Sequence, residues 1–231
     1  MLWLKAWLET RWKIAYAFVI GAIVVGAPLW AAKGAHAGDP RGLIMNLLEG
    51  ILFLVFLVPI MLAGSGIQTA SSTRPGAREK GSAGSTLFTL SLPVTRTRLF
   101  VVRTIIGALE TSAVLTLVLI AAWLLLPPLR VGAHDALGLF AVVVSSNLFV
   151  YAISACLSTF CDEGWRARLS LLVLMAVVIL MRSININIVG LLVVASPLFT
   201  HQIPWMTIIA ACVFAVVVLT IALIIIQKRE Y

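Results

Sequence analysis

Arg78–Arg103 reads REKGSAGSTLFTLSLPVTRTRLFVVR. It is the only long polar, basic interruption between two strongly apolar segments. Counted from Arg74, it carries six of the seventeen Lys/Arg residues. Inside it, Ser82–Leu92 forms a short amphipathic block. Ser82 or Ser85 can cap a helix there by accepting an orphan backbone N–H. Leu87 and Leu90 share one face, and Leu92 follows next to the proline. Pro93 stops the block and holds Leu92 away from helical dihedrals. Thr95 can cap the following helix, which runs on through Arg96 and Arg103 into apolar sequence. Such a helix, apolar on one face and ringed by arginines, fits the groove of a soluble partner. It equally fits an inner-leaflet surface, held by arginine to anionic lipid. Physics alone leaves both open.

The flanking segments decide the class. Of 231 residues, 61% are hydrophobic and 11% charged, and the mean hydropathy is +1.09. Soluble domains are nearer half apolar and a quarter charged. Several runs are long enough to span a bilayer, for which about 20 residues are needed. The expected fold is therefore an all-α polytopic membrane protein, one transmembrane domain over 1–231 with no room for a soluble catalytic domain. The net charge of +8 is explained by basic residues flanking apolar spans, so no nucleic-acid partner is expected. Cys156, Cys161 and Cys212 lie in or beside apolar runs without metal-ligand spacing and read as packing residues.

In chain order, 1–13 (MLWLKAWLETRWK) puts Lys5, Glu9 and Lys13 on one stripe and Trp3, Leu4, Trp7 and Leu8 opposite. This suits a helix lying at the membrane interface, or a plain extension of the first span. Span one is expected at 14–32, where Ala17 with Gly21 and Ala22 with Gly26 permit close helix approach. Span two is expected at 43–69, a polar loop at 70–98, span three at 99–126, span four at 136–160 and span five at 169–181. The stretch 182–203 is apolar but broken by Arg182, Asn185, Asn187, Gly190 and Pro197. It reads as a re-entrant or extracytoplasmic helical segment, since a full crossing there would be short. Span six is expected at 204–226. With the N-terminus inside, the inner segments hold 13 Lys/Arg and the outer ones 4, a strong positive-inside bias. A seventh crossing would put Lys228 and Arg229 outside. Six transmembrane helices with both termini cytoplasmic is the expected topology.

No catalytic or metal-ligating constellation is visible. Gly76–Ser82 (GAREKGS) has the glycine spacing of a phosphate loop, but Lys80 precedes the second glycine where the motif needs a following lysine. The chain is thus expected to be no enzyme and to bind no cofactor itself. Intramembrane polar residues are candidate functional groups by default. Glu110 follows Arg103 at i+7, Glu49 lies near the outer end of span two, and Asn147 follows Ser145 and Ser146 in span four. Each is either a lining of a translocation path or a group paired between helices.

Glu79, then Gly84-Ser85-Thr86-Leu87, then Leu90-Ser91-Leu92-Pro93-Val94-Thr95-Arg96 resemble the loop signature of the ABC-2 type transporter permeases, the membrane subunits of one class of ATP-driven exporters. The family's motif is an acidic residue before Gly-Thr-Leu, then a Leu-Ser-Leu-Pro-Val-Ser-Arg-like run. Arg103 stands where a basic residue opens the next span. The resemblance implies an N-terminal interfacial elbow helix over 1–13 and a cytoplasmic coupling helix between spans two and three. ATPase coupling would fall to Glu79, Gly84, Ser85, Thr86, Leu87, Leu90, Leu92, Pro93 and Arg96. It further implies a cytoplasmic ABC ATPase partner holding ATP and Mg, a second permease copy or related chain, and a place in the bacterial inner membrane. Two other classes stand beside it: a non-transporting membrane scaffold or assembly factor, and an integral membrane enzyme. The first has no need of a capped, proline-terminated helix in that loop. The second lacks a catalytic constellation.

Overall fold

The computed structural model describes residues 2–34, 40–63, 96–125, 132–159, 168–173, 175–176 and 202–228. Five long helices emerge: α1 (Leu2–Gly34), α2 (Pro40–Leu62), α3 (Arg96–Leu125), α4 (Ala133–Leu157) and α5 (Trp205–Lys228). Each contains a stretch long and apolar enough to cross a bilayer, and no strand occurs among the described residues. The chain is a multi-pass helical membrane protein.

Local chemistry sets the helix ends. Pro40 opens α2 at the position where a missing N–H and a fixed φ suit a first turn. Pro59 lies inside α2, and its carbonyl accepts the Ala63 N–H at 2.8 Å to close the last turn. The Gly132 carbonyl takes the Asp135 and Ala136 N–H groups, each at 3.1 Å. Asp135 then places an acid in the first turn of α4, where the helix dipole favours it. Arg96 opens α3 directly after the expected cap Thr95, which lies outside the described residues.

The contacts give each helix a direction. Thr10 meets Glu110 and Gly21 meets Val118, so α1 and α3 run parallel. Asn147 meets Thr111 and Tyr151 meets Gly107, so α4 runs against α3. Ala63 clusters with Tyr151 and Ala155, which places the last turns of α2 and α4 together. The Phe149 and Phe214 rings meet at a tilt with centroids 5.0 Å apart, and Cys156 packs on the Ala222–Ile226 end of α5. Thus α5 runs parallel to α4. The first turns of α1 and α3 and the last turns of α2, α4 and α5 therefore share one end of the bundle.

The core lies between α1, α2, α3 and α4. Leu47, Leu48, Ile51, Leu54, Val55 and Val58 of α2 form its stripe, joined by Val114, Leu115 and Val118 of α3 and Val142, Val143 and Phe149 of α4. In α4, 67% of the spanning window is buried, against 17% in α5. So α4 is central and α5 lies on its outside. The exposed apolar side chains Tyr16, Val19, Ile23, Leu117, Val216 and Val217 form a surface suited to lipid.

Several expected boundaries move. The helix through 1–13 and 14–32 is continuous, with no break at Lys13, because no proline or glycine falls between Leu2 and Ile20 to end it. At about 1.5 Å per residue, its 33 residues run roughly 50 Å, longer than a bilayer core. The α2 helix starts at Pro40, its apolar spanning stretch runs Ile44–Leu62, beside the expected start at 43, and 64–69 lies outside the described residues. Residues 168–173 and 175–176 are helical and fall at the start of expected span five. The rest of 169–181, and all of 182–201, lie outside the described residues.

Candidate functional site: a polar seam on α3

α3 carries two polar stripes. Arg103 and Glu110, seven residues apart, lie on one side, where Glu110 meets α1. Thr104 and Thr111, also seven apart, face α4. All four are buried. The spacing arises because seven residues are nearly two helical turns, so each pair returns to the same side.

On the α1 side, Thr10 donates its hydroxyl hydrogen to Glu110 Oε1 at 2.7 Å. Glu110 Oε2 is buried without a hydrogen-bond partner among the described residues. Among the described side chains of α1, the buried edge runs through Thr10, Ile14, Ala17, Gly21 and Val25. Beyond it, Arg11 lies over the Trp12 ring at 5.7 Å, and that tryptophan is exposed, as suits an interface anchor.

On the α4 side, the Asn147 amide donates to Thr111 Oγ1 at 3.2 Å and to Ser112 Oγ at 3.4 Å. Thr111 passes its own hydrogen to the Ala108 carbonyl at 3.0 Å. Asn147 is fully buried, and its Oδ1 has no partner among the described residues. One turn further, the Tyr151 ring fills the space left by the missing Cβ of Gly107. Buried Thr104 and Ser154 continue the seam, each hydroxyl oxygen lacking a partner among the described residues. Ser145 is buried and donates to the Val142 carbonyl at 3.0 Å, so it satisfies itself within α4.

Of the three expected path residues, the structure buries Glu110 and Asn147 on opposite flanks of α3. Glu49 is exposed on α2. Gly50 packs on Val24, three residues beyond Gly21, which is level with Val118. At about 1.5 Å per residue, Glu49 therefore lies roughly 18 Å beyond Glu110 along the bundle, so the three do not form one site. The first eight expected coupling residues, Glu79 to Pro93, lie outside the described residues, and Arg96 is the first residue of α3. Sequence reasoning missed Thr10, Gly107, Thr111 and Tyr151. The i+7 repeat of Thr104 and Thr111 and the i+4 step from Asn147 to Tyr151 are the signals that mark this seam.

Chemically, the arrangement offers neutral donors and acceptors with one carboxyl group. It holds no nucleophile–base pair among the described residues, and Cys156 and Cys212 are free thiols. Against known proteins, the chain matches no family model, no curated protein and no solved structure.

Proposed function

We propose that the chain is the membrane-spanning permease subunit of an ABC-2 type exporter, moving substrate with ATP hydrolysed by a separate cytoplasmic ATPase. The observation that carries the reading is the loop run from Glu79 through Gly84–Leu87 to Leu90–Arg96. Its closeness to a docking signature sits between two bundle helices. The end of the bundle from which that loop leaves and to which it returns supports the reading. Lys5, Arg11 and Lys13 of α1, Arg98 and Arg103 of α3 and Lys228 of α5 belong to that end; Lys33 and Arg41 belong to the other. By the positive-inside rule, the loop-bearing end is cytoplasmic, in a bacterial inner membrane. The parallel course of α4 and α5 fits a sixth span between them, and two copies of the chain would complete the pathway. The chain then needs no phosphate loop or cofactor, since ATP and Mg belong to the partner.

The test is co-purification. The tagged chain is extracted in mild detergent beside a copy whose Ser82–Pro93 block is replaced by a Gly/Ser linker. An ATPase held by the native chain and lost from the linker copy is the expected result. A well-folded native chain that holds none gives way to the scaffold reading.

A further inference from the structure

We infer that α1 and α3 form one clamped two-helix unit, pinned by the Thr10–Glu110 hydrogen bond at one level and by Val118 seated in the Gly21 notch at another. The two contacts are of different kinds. Thr10 Oγ1 to Glu110 Oε1 is 2.7 Å, buried, and joins residues 100 apart in sequence. A Cβ built on Gly21 would lie 2.6 Å from Val118 Cγ2, so the valine methyl occupies the place where a side chain would start. Two separated pins on parallel helices oppose both axial sliding and rotation.

The polar pin is costly to release. Glu110 Oε2 has no hydrogen-bond partner among the described residues, so Thr10 is the one side chain shown satisfying this carboxyl. Parting the helices strands a buried carboxyl in a low-dielectric setting, where unpaired polar groups are strongly penalised. The α4–α5 contact is built otherwise. The buried residues of α5 are Ala211, Ala215, Ala222 and Ile226, a mostly smooth face. The only ring contact recorded there among the described residues is Phe149 on Phe214. The α1–α3 contact thus carries a polar pin, as the α3–α4 contact does through Asn147, whereas α5 packs through a smooth face.

Thr10 also lies where the Trp- and Lys-bearing arm of α1 meets its apolar length. Displacement of the first turns of α3 is passed through the clamp to that arm. The clamp rests on helix packing and not on the ATPase reading, so a failed co-purification leaves it standing.

Two measurements on the full chain in lipid nanodiscs test it. In a background with Cys156, Cys161 and Cys212 replaced by alanine, spin labels go on the exposed positions Tyr16 and Leu109. A reference pair goes on Leu109 and Ile221. The unaltered clamp gives one narrow Tyr16–Leu109 distance distribution. Thr10→Val broadens it and leaves the reference pair unchanged. An equally narrow distribution in Thr10→Val overturns the clamp. The second measurement is thermal unfolding. Thr10→Val lowers the melting temperature by roughly 2–4 °C, the shift expected for losing one buried hydrogen bond in a chain of this size. Thr10→Val with Glu110→Leu recovers most of that loss, because the stranded carboxyl is gone. Losses that simply add in the double variant overturn the polar pin.

Discussion

At the scale of single residues, three glycines do the same job for three helix pairs. Gly50 receives Val24 between α2 and α1, Gly21 receives Val118 between α1 and α3, and Gly107 receives the Tyr151 ring between α3 and α4. Lipid tails are as apolar as leucine, so helices in a membrane gain most from close packing. A missing Cβ lets a neighbour's side chain reach the backbone. Gly107 is the least forgiving, because an added methyl would overlap the ring and hydroxyl of Tyr151, a side chain only 2% exposed. Gly107→Ala is expected to lower stability by about 1–3 kcal/mol through overpacking, read as an earlier thermal transition in detergent. Gly26 has nothing within 4 Å of a built Cβ. There Gly26→Ala should be neutral or stabilise by up to about 1 kcal/mol from helix propensity. Equal losses at both positions would show that the notch at Gly107 has no special role. Asn147→Ala removes two bonds to α3, and a loss of about 1–2 kcal/mol is expected by the same assay.

At the scale of elements, the helices were legible because each is a long apolar run bounded by glycine, proline or charge. Pro40, Gly132 and Pro204 mark starts that the structure keeps to within a few residues. Which partner each helix meets was not legible. Hydropathy records that Glu110 and Asn147 are polar among apolar neighbours. It does not record that one faces α1 and the other α4, since that depends on Thr10, a hundred residues away, and on Tyr151 docking at Gly107. The small pair Ala17 and Gly21 could have faced lipid, another copy or this chain's own α3. The Val118 contact assigns Gly21 to α3. The loop before α3 is the element that carries the proposed function, and Leu87 is one of its apolar candidate anchors. Leu87→Asp is expected to leave membrane insertion and folding intact while abolishing nucleotide-dependent transport in reconstituted vesicles. Transport at the normal rate in that variant would remove the coupling role from this face of the loop.

At the scale of the whole molecule, the decisive feature is that α4 and α5 run the same way. Consecutive spans joined by short loops alternate in direction, and α1 to α4 do so. Had α5 continued the alternation, its last turn would lie opposite the first turn of α1. Instead Cys156 near the end of α4 and Phe100 near the start of α3 both pack with Ala222 and Ile226, near the end of α5. Ala108 and Leu219 join one cluster a little further along. Lys228 therefore lies at the same end as Arg98 and the α1 arm. This ordering also gathers most basic residues of the described helices at one end, Lys33 and Arg41 excepted, as the positive-inside rule prefers. Sequence charge and three-dimensional contact agree on this ordering. The expected outcome is that reporters fused before Met1, inserted between Gly81 and Ser82, and fused after Tyr231 all signal the same compartment, the cytoplasm under the proposed orientation. If the Tyr231 fusion alone signals the opposite side, α5 cannot run parallel to α4. In that case the basic tail would face outward against the charge rule, and Phe100 would have to part from Ala222 and Ile226.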